Sequence, residues 1–226
     1  MGSVSMNKLG GFSLFLGAFL HIVGSLIGVA VSDGPPEGGY IFEAFAASTA
    51  TAGKVQHVVV LLTTVGLALT IFGIVALQEF VRNRTDNNAV IRLGSFLFTI
   101  GGIGLIYAWS FDNGLLMSEP VGMGAQAMMA ASQFSLFIVG GVLAWSGVAL
   151  IALQVSLSPD FSKILGFVAT IAAVVVGVAH ILAPWLIDSA DAGTVGGVFI
   201  PVFAGMFIVN LWFLIVGRAL ASKDSG

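Results

Sequence analysis

Three histidines, His21, His57 and His180, lie inside or at the edge of long apolar stretches of this chain. His180 stands in VVVGVAHILAPW (174–185), where no other residue is charged or carries a hydroxyl or an amide side chain. An ionisable group inside a bilayer is costly, so such residues usually face a bundle interior and serve a function. Neutral imidazole is also the commonest metal ligand in proteins. The histidines are therefore the first candidates for chemistry.

Two imidazoles from different helices at a similar depth can ligate one haem iron, or share a smaller metal with a third. We assign these roles to His21 and His180, with His57 as the third ligand. Glycines beside the ligands, such as Gly17 and Gly177, leave room for a flat macrocycle. The leading hypothesis is a membrane subunit that binds haem b or a transition metal, in a redox or ligand-binding role and without catalytic activity of its own. The competing interpretation is that each histidine only hydrogen-bonds a neighbouring helix.

Methionines offer a weaker metal site on the same side of the membrane as the histidines. The candidates are Met117, Met123, Met128 and Met129. Thioether sulfur combined with imidazole suits Cu(I), although methionine is also a common gap filler in apolar cores. The chain has no cysteine, which excludes thiolate ligands and disulfides.

Two further hypotheses need no cofactor. Hydroxyl and amide side chains within the apolar stretches could join the histidines along a polar path, as in a small six-helix transporter. These are Thr63, Thr64, Thr70, Thr99, Ser135, Ser146, Thr170 and Asn210. The last hypothesis is an accessory or assembly subunit, whose glycine-rich helix faces pack against other membrane subunits or a second copy of the chain.

The composition places these residues in a lipid bilayer. Of the 226 residues, 58% are hydrophobic and only 8% are charged, whereas a soluble domain carries about a quarter charged residues. Crossing a bilayer takes about 20 apolar residues, and six stretches suffice: 9–31, 55–80, 90–109, 134–155, 164–186 and 195–216. The sequence therefore predicts an all-α polytopic membrane protein with a single domain, 1–226. A net charge of −3 and the lack of a basic patch exclude nucleic acid as a partner.

Charged residues predict the orientation. Cytoplasmic loops are rich in Lys and Arg, and all basic residues except Lys54 fall on the side of the two termini. We therefore expect both termini in the cytoplasm, in a prokaryotic plasma membrane. Most acidic residues fall on the outer side, where they predict a negative mouth that favours cations. These are Asp33, Glu37, Glu43, Asp112, Glu119, Asp188 and Asp191.

A weak internal repeat divides the spans into pairs. The odd-numbered spans open alike, with KLGGFSLFLG at Lys8, RLGSFLFTIG at Arg92 and KILGFVATIA at Lys163. Self-similarity of this kind predicts repeated structural units. We expect three helical hairpins in an approximately threefold arrangement, and a simple up-and-down bundle is the alternative. The hairpins span about 9–84, 92–160 and 164–221.

Two longer connections are expected on the outer side, at 32–54 and 110–133. The first contains a short apolar segment that is typical of an interfacial helix, with Phe42 and Phe45 in the lipid. Trp109 is assigned to the aromatic belt at the outer interface.

Overall fold

A computed structural model describes residues 5–31, 39–84, 88–117 and 122–223. Within these ranges the chain forms seven α-helices, one short 3-10 helix (Ala192–Thr194) and no strand. The α-helices are α1 (Met6–Val31), α2 (Ile41–Ala52), α3 (Lys54–Arg82), α4 (Ala89–Met117), α5 (Met123–Ser156), α6 (Lys163–Leu186) and α7 (Val195–Ala221). All except α2 are long and apolar enough to cross a membrane, which confirms the prediction of six apolar spans. The acidic residues Asp33, Glu37 and Glu119 lie outside the described residues.

The six long helices pack in chain order into a closed ring. Each contacts the next along the chain, and α7 returns to contact α1. One apolar core runs through the ring and takes fully buried residues from every long helix, including Leu14, Ile74 and Ile151. Large apolar side chains such as Phe12 and Ile171 are exposed on the outside, as lipid contact requires.

Glycines set the closest approaches between neighbouring helices. A Cβ atom at Gly17 of α1 would lie 2.5 Å from the carbonyl oxygen of Gly66 on α3. A Cβ atom at Gly101 of α4 would overlap the backbone nitrogen of Ala144 on α5. Small residues serve this purpose in membranes because lipid provides no hydrophobic force that drives helices together.

The short helix α2 covers one end of the ring, where it packs on α5 and α4. Its start is tied to the α6–α7 connection by backbone hydrogen bonds. The N–H of Ile41 donates to Ser189 O (2.9 Å), and the N–H of Ala192 donates to Gly39 O (3.1 Å). We call this end of the ring the α2 end. The opposite end, where α1 begins and α7 finishes, is called the terminus end.

The placement of the α2 phenylalanines differs from the sequence-based expectation. Instead of facing only lipid, Phe42 and Phe45 contact the ring of Phe134 on α5, with centroid distances of 6.0 and 6.3 Å. The apolar face of α2 finds a partner within the protein, so α2 is part of the fold.

The segment 110–133, expected as a long loop, is mostly helical. Both α4 and α5 extend into it, and Gly122 between them has a φ of 91°, a left-handed conformation that glycine adopts without strain. The polar residues Asp112 and Gln133 bond to each other inside the protein. Because these polar side chains are paired within the protein, they can be buried where the helices extend past the apolar stretch.

At the terminus end, Asp160 joins three helix ends. It lies in the α5–α6 turn and pairs with Lys223 beyond α7 (3.0 Å) and with Arg84 beyond α3 (3.5 Å). Beside this cluster, Phe161 contacts Phe80 of α3 with a centroid distance of 5.8 Å. These contacts close the ring at this end.

Candidate functional site

A small cavity lies at the centre of the ring. Its volume is about 30 Å³, and its walls come from α1, α3, α4, α5 and α7. The side chains of His21, Thr70 and Asn210 are its polar lining, and Trp145 and apolar residues complete it. A water molecule needs about 10–15 Å³ of such volume, so the cavity has room for one or two. It is therefore a water-sized space with mainly apolar walls, to which three polar side chains contribute.

His21 is the titratable group of this cavity. Its Nε2 atom is buried and has no hydrogen-bond partner among the described residues. Asn210 of α7 lines the same cavity, and its side chain is held by a bond from its Nδ2 to Met206 O (2.9 Å). The indole of Trp109 lies beside the imidazole, with a centroid distance of 5.3 Å. Buried polar atoms are normally hydrogen-bonded, so the unpartnered Nε2 is the unusual atom of the site.

Trp109 consequently does not have the role that the sequence suggested. It is half-buried and packs against the apolar core, in contact with His21, instead of serving only as an interface anchor. The continuation of α4 beyond it explains the difference, because Trp109 is not near the end of its helix.

His180 lies in a different interface, between α5 and α6. It is 2% exposed, and its Nδ1 is 2.8 Å from Val176 O, one turn earlier on its own helix. The ring lies flat against Gly141 and contacts Phe137, with a centroid distance of 5.1 Å. Its Nε2 has no partner among the described residues. None of the contacts in this part of the chain joins it to His21.

The packing of His180 on Gly141 gives a stability prediction. A Cβ atom at position 141 would overlap the imidazole, and overpacking of this kind costs about 1–3 kcal/mol. We expect Gly141→Ala to lower the melting temperature in detergent, and to do so much less in a His180→Ala background. Equal losses in both backgrounds would show that the two residues do not pack together, since contacting residues give non-additive effects.

A second polar cluster lies at the α2 end and includes a buried carboxylate. Asp112 of α4 is 8% exposed. One of its oxygens accepts a bond from Gln56 Nε2 on α3 (2.8 Å), and the other from Gln133 Nε2 on α5 (2.7 Å). The neighbouring pair is exposed to solvent, with His57 Nδ1 2.7 Å from Asn113 Oδ1. We call these five residues the amide cluster.

The amide cluster corrects the expected position of Asp112. From the sequence it belonged to an exposed acidic surface, but two glutamine amides take the place of water around its carboxylate. The sequence reasoning missed the glutamines and Asn113. The available signal was the pair of polar dipeptides, QH at 56–57 and DN at 112–113, which lie at the adjoining ends of consecutive spans.

The amide cluster and the cavity are connected through α4. Trp109 lies three residues before Asp112 on α4, and residues three apart lie on the same face of a helix. The same face therefore carries Asp112 at the α2 end and, toward the cavity, the indole that contacts His21.

The candidate methionines do not come together at one site. Met117 and Met128 are 78% and 74% exposed, whereas Met129 packs on Gly114 and joins a small apolar cluster under α2. The side chain of Met123 lies outside what the structure describes. Among the described residues, no group of three or more His, Asp or Glu side chains is arranged to hold a metal ion.

The surroundings of His21 and His180 do not fit a haem in this arrangement of helices. The cavity beside His21 is about 30 Å³, which is far below the roughly 300 Å³ at which ligand pockets begin. The His180 ring is covered by Gly141 and bonded to its own helix. No macrocycle fits between the two as they stand. Comparison with protein-family models, curated proteins and solved structures gives no match for this chain.

Proposed function

We propose that the protein is a small six-helix transporter that moves protons along a path through the centre of the ring. The observation that carries this proposal is the central cavity, which His21, Asn210 and Thr70 line and where the Nε2 of His21 has no partner among the described residues. An imidazole can accept a proton on one nitrogen and release one from the other. The volume suits water and a proton, and it is too small for an organic solute.

The amide cluster supplies the approach from the α2 end. His57 is exposed, Asp112 is buried, and Trp109, three residues before Asp112 on α4, contacts His21. Because an indole N–H cannot accept a proton, transfer from Asp112 to His21 requires water between them. The path therefore begins at a buried carboxyl group and leads to an imidazole at the centre of the ring.

The other half of the path is closed in this conformation. Phe98 and Phe213 line the cavity and contact each other, with a centroid distance of 6.2 Å. Beyond them the ion pairs of Asp160 and the Phe80–Phe161 contact close the terminus end. Release of protons at that end requires these contacts to separate, as expected for a gated path.

We infer that the chain is built from three hairpins and that its termini face the cytoplasm. Two equivalent contacts support the hairpins. Gly73 of α3 packs on Leu14 of α1, and Gly147 of α5 packs on Phe98 of α4. Leu14 and Phe98 occupy the same position in the sequence repeat, six residues after Lys8 and Arg92. The excess of basic residues at the terminus end follows the rule for cytoplasmic loops. The α2 end then faces outward, and protons enter from outside.

The test is proton flux into liposomes that contain the purified protein and an enclosed pH-sensitive dye. A potassium gradient with valinomycin provides the driving potential. We expect acidification well above that of empty liposomes, and a rate equal to that of empty liposomes would contradict the proposal. A visible spectrum of the same sample distinguishes the haem hypothesis from the transporter hypothesis, because a Soret band would favour a redox subunit. A colourless protein without flux would favour an accessory subunit.

A further inference from the structure

We propose that Asp112, held by Gln56 and Gln133, is a proton-binding site that loads the path from the α2 end. The inference deepens the proposed function and rests on it for the direction of proton movement. The protonation of Asp112 is a separate property that can be measured without any transport.

The burial and charge of Asp112 are the first step. The residue is 8% exposed, and both partners of its carboxylate are neutral amides. Among the described residues it has no ion pair. A buried carboxylate without a cation is costly and tends to be neutralised, so the folded structure favours proton uptake at this position.

The choice of partners is the second step. A glutamine side chain carries two N–H donors and a carbonyl acceptor, and rotation of the amide exchanges them. Two N–H donors satisfy the ionised carboxylate. One N–H donor and one carbonyl satisfy the protonated acid, whose O–H then donates to the turned amide. Gln56 and Gln133 can therefore serve both protonation states, whereas Lys or Arg could only donate.

The surroundings contain few other charges. At the α2 end of the helices packed around Asp112, the titratable groups are His57 and Lys54 of α3 and Glu43 of α2, and all three are exposed. On α5 the polar neighbour is Gln133, which is uncharged. His57, bonded to Asn113, lies next to Gln56 in sequence. Loading breaks an O–H bond of hydronium, forms an O–H bond on Asp112 and leaves a water molecule.

The test is infrared difference spectroscopy of the whole protein in liposomes, in which a protonated carboxyl group shows a separate carbonyl band. We expect this band at neutral pH in the wild type, a shift of the band in D₂O, and its loss in Asp112→Asn. The control Glu43→Gln changes an exposed carboxylate on α2 and should keep the band. A wild type without the band at neutral pH, or a band retained in Asp112→Asn, would overturn the inference.

A second variant keeps the carboxyl group, in case Asp112→Asn does not fold. Gln133→Met removes one hydrogen bond, so we expect the carbonyl band to move, and an unchanged band would contradict the assignment. The flux assay separates the two proposals. A band without flux leaves the proton site and removes the transporter, whereas flux without a band removes the proton site and leaves the transporter.

Discussion

Gly101→Leu will prevent the chain from folding into the ring. Any Cβ atom at this position overlaps the backbone nitrogen of Ala144 and lies 2.5 Å from the carbonyl oxygen of Gly140. Backbone atoms cannot rotate away as a flexible side chain would, so α4 and α5 must separate along the whole interface. We expect a loss of more than about 4 kcal/mol, which is exceptional for one substitution and close to the entire stability of many domains.

The measurement is the yield of monodisperse protein in mild detergent, followed by thermal unfolding monitored by circular dichroism. Gly197→Leu is the matched control, because it places the same side chain in an α7 position where a Cβ atom has no neighbour within 4 Å. Folding of both variants with similar melting temperatures would mean that α4 and α5 do not approach as described.

Asn210→Leu will abolish most proton flux while the fold is retained. Leucine keeps the branched shape of asparagine without its polar atoms, so the change leaves no void and removes the bond to Met206 O. The cavity then loses the amide that lies in its wall beside His21. We expect a flux about a hundredfold lower, within the range that positioned proton-transfer groups contribute.

The measurement is again dye acidification in liposomes. Thr99→Val provides a control of the same kind, since it removes a polar group from a span where the hydroxyl bonds its own helix at Ser95 O. An Asn210→Leu rate as high as that of the Thr99→Val protein would exclude Asn210 from the path.

The membrane helices could be predicted because each one leaves a local signal. A run of about 20 apolar residues is sufficient to identify a span, whatever its neighbours are. The depth of His21 and His180 could be estimated in the same way, from the rise of about 1.5 Å per residue. The direction in which each one points could not, because it depends on how six helices rotate against one another. His21 therefore meets Asn210 and Trp109, while His180 is enclosed between α5 and α6.

The amide cluster and α2 were harder to predict for the same reason. Asp112 follows an apolar span and is polar, which is typical of an exposed helix end. Its burial depends on Gln56 and Gln133, which come from two other helices, and Gln133 has no ionisable neighbour in the sequence that would have drawn attention to it. Likewise, the sequence around Phe42 is typical of an interfacial helix, and its contact with Phe134 of α5 is visible only in the fold.

The central claim is that His21 carries protons through the ring, and its most direct test is a side-by-side flux measurement of His21→Ala and Ser146→Ala in liposomes. Both substitutions remove a polar group from a span, but Ser146 is exposed on the outside of α5. The account predicts that Ser146→Ala conducts like the wild type and that His21→Ala falls to the rate of empty liposomes. Equal flux through the two variants would contradict it.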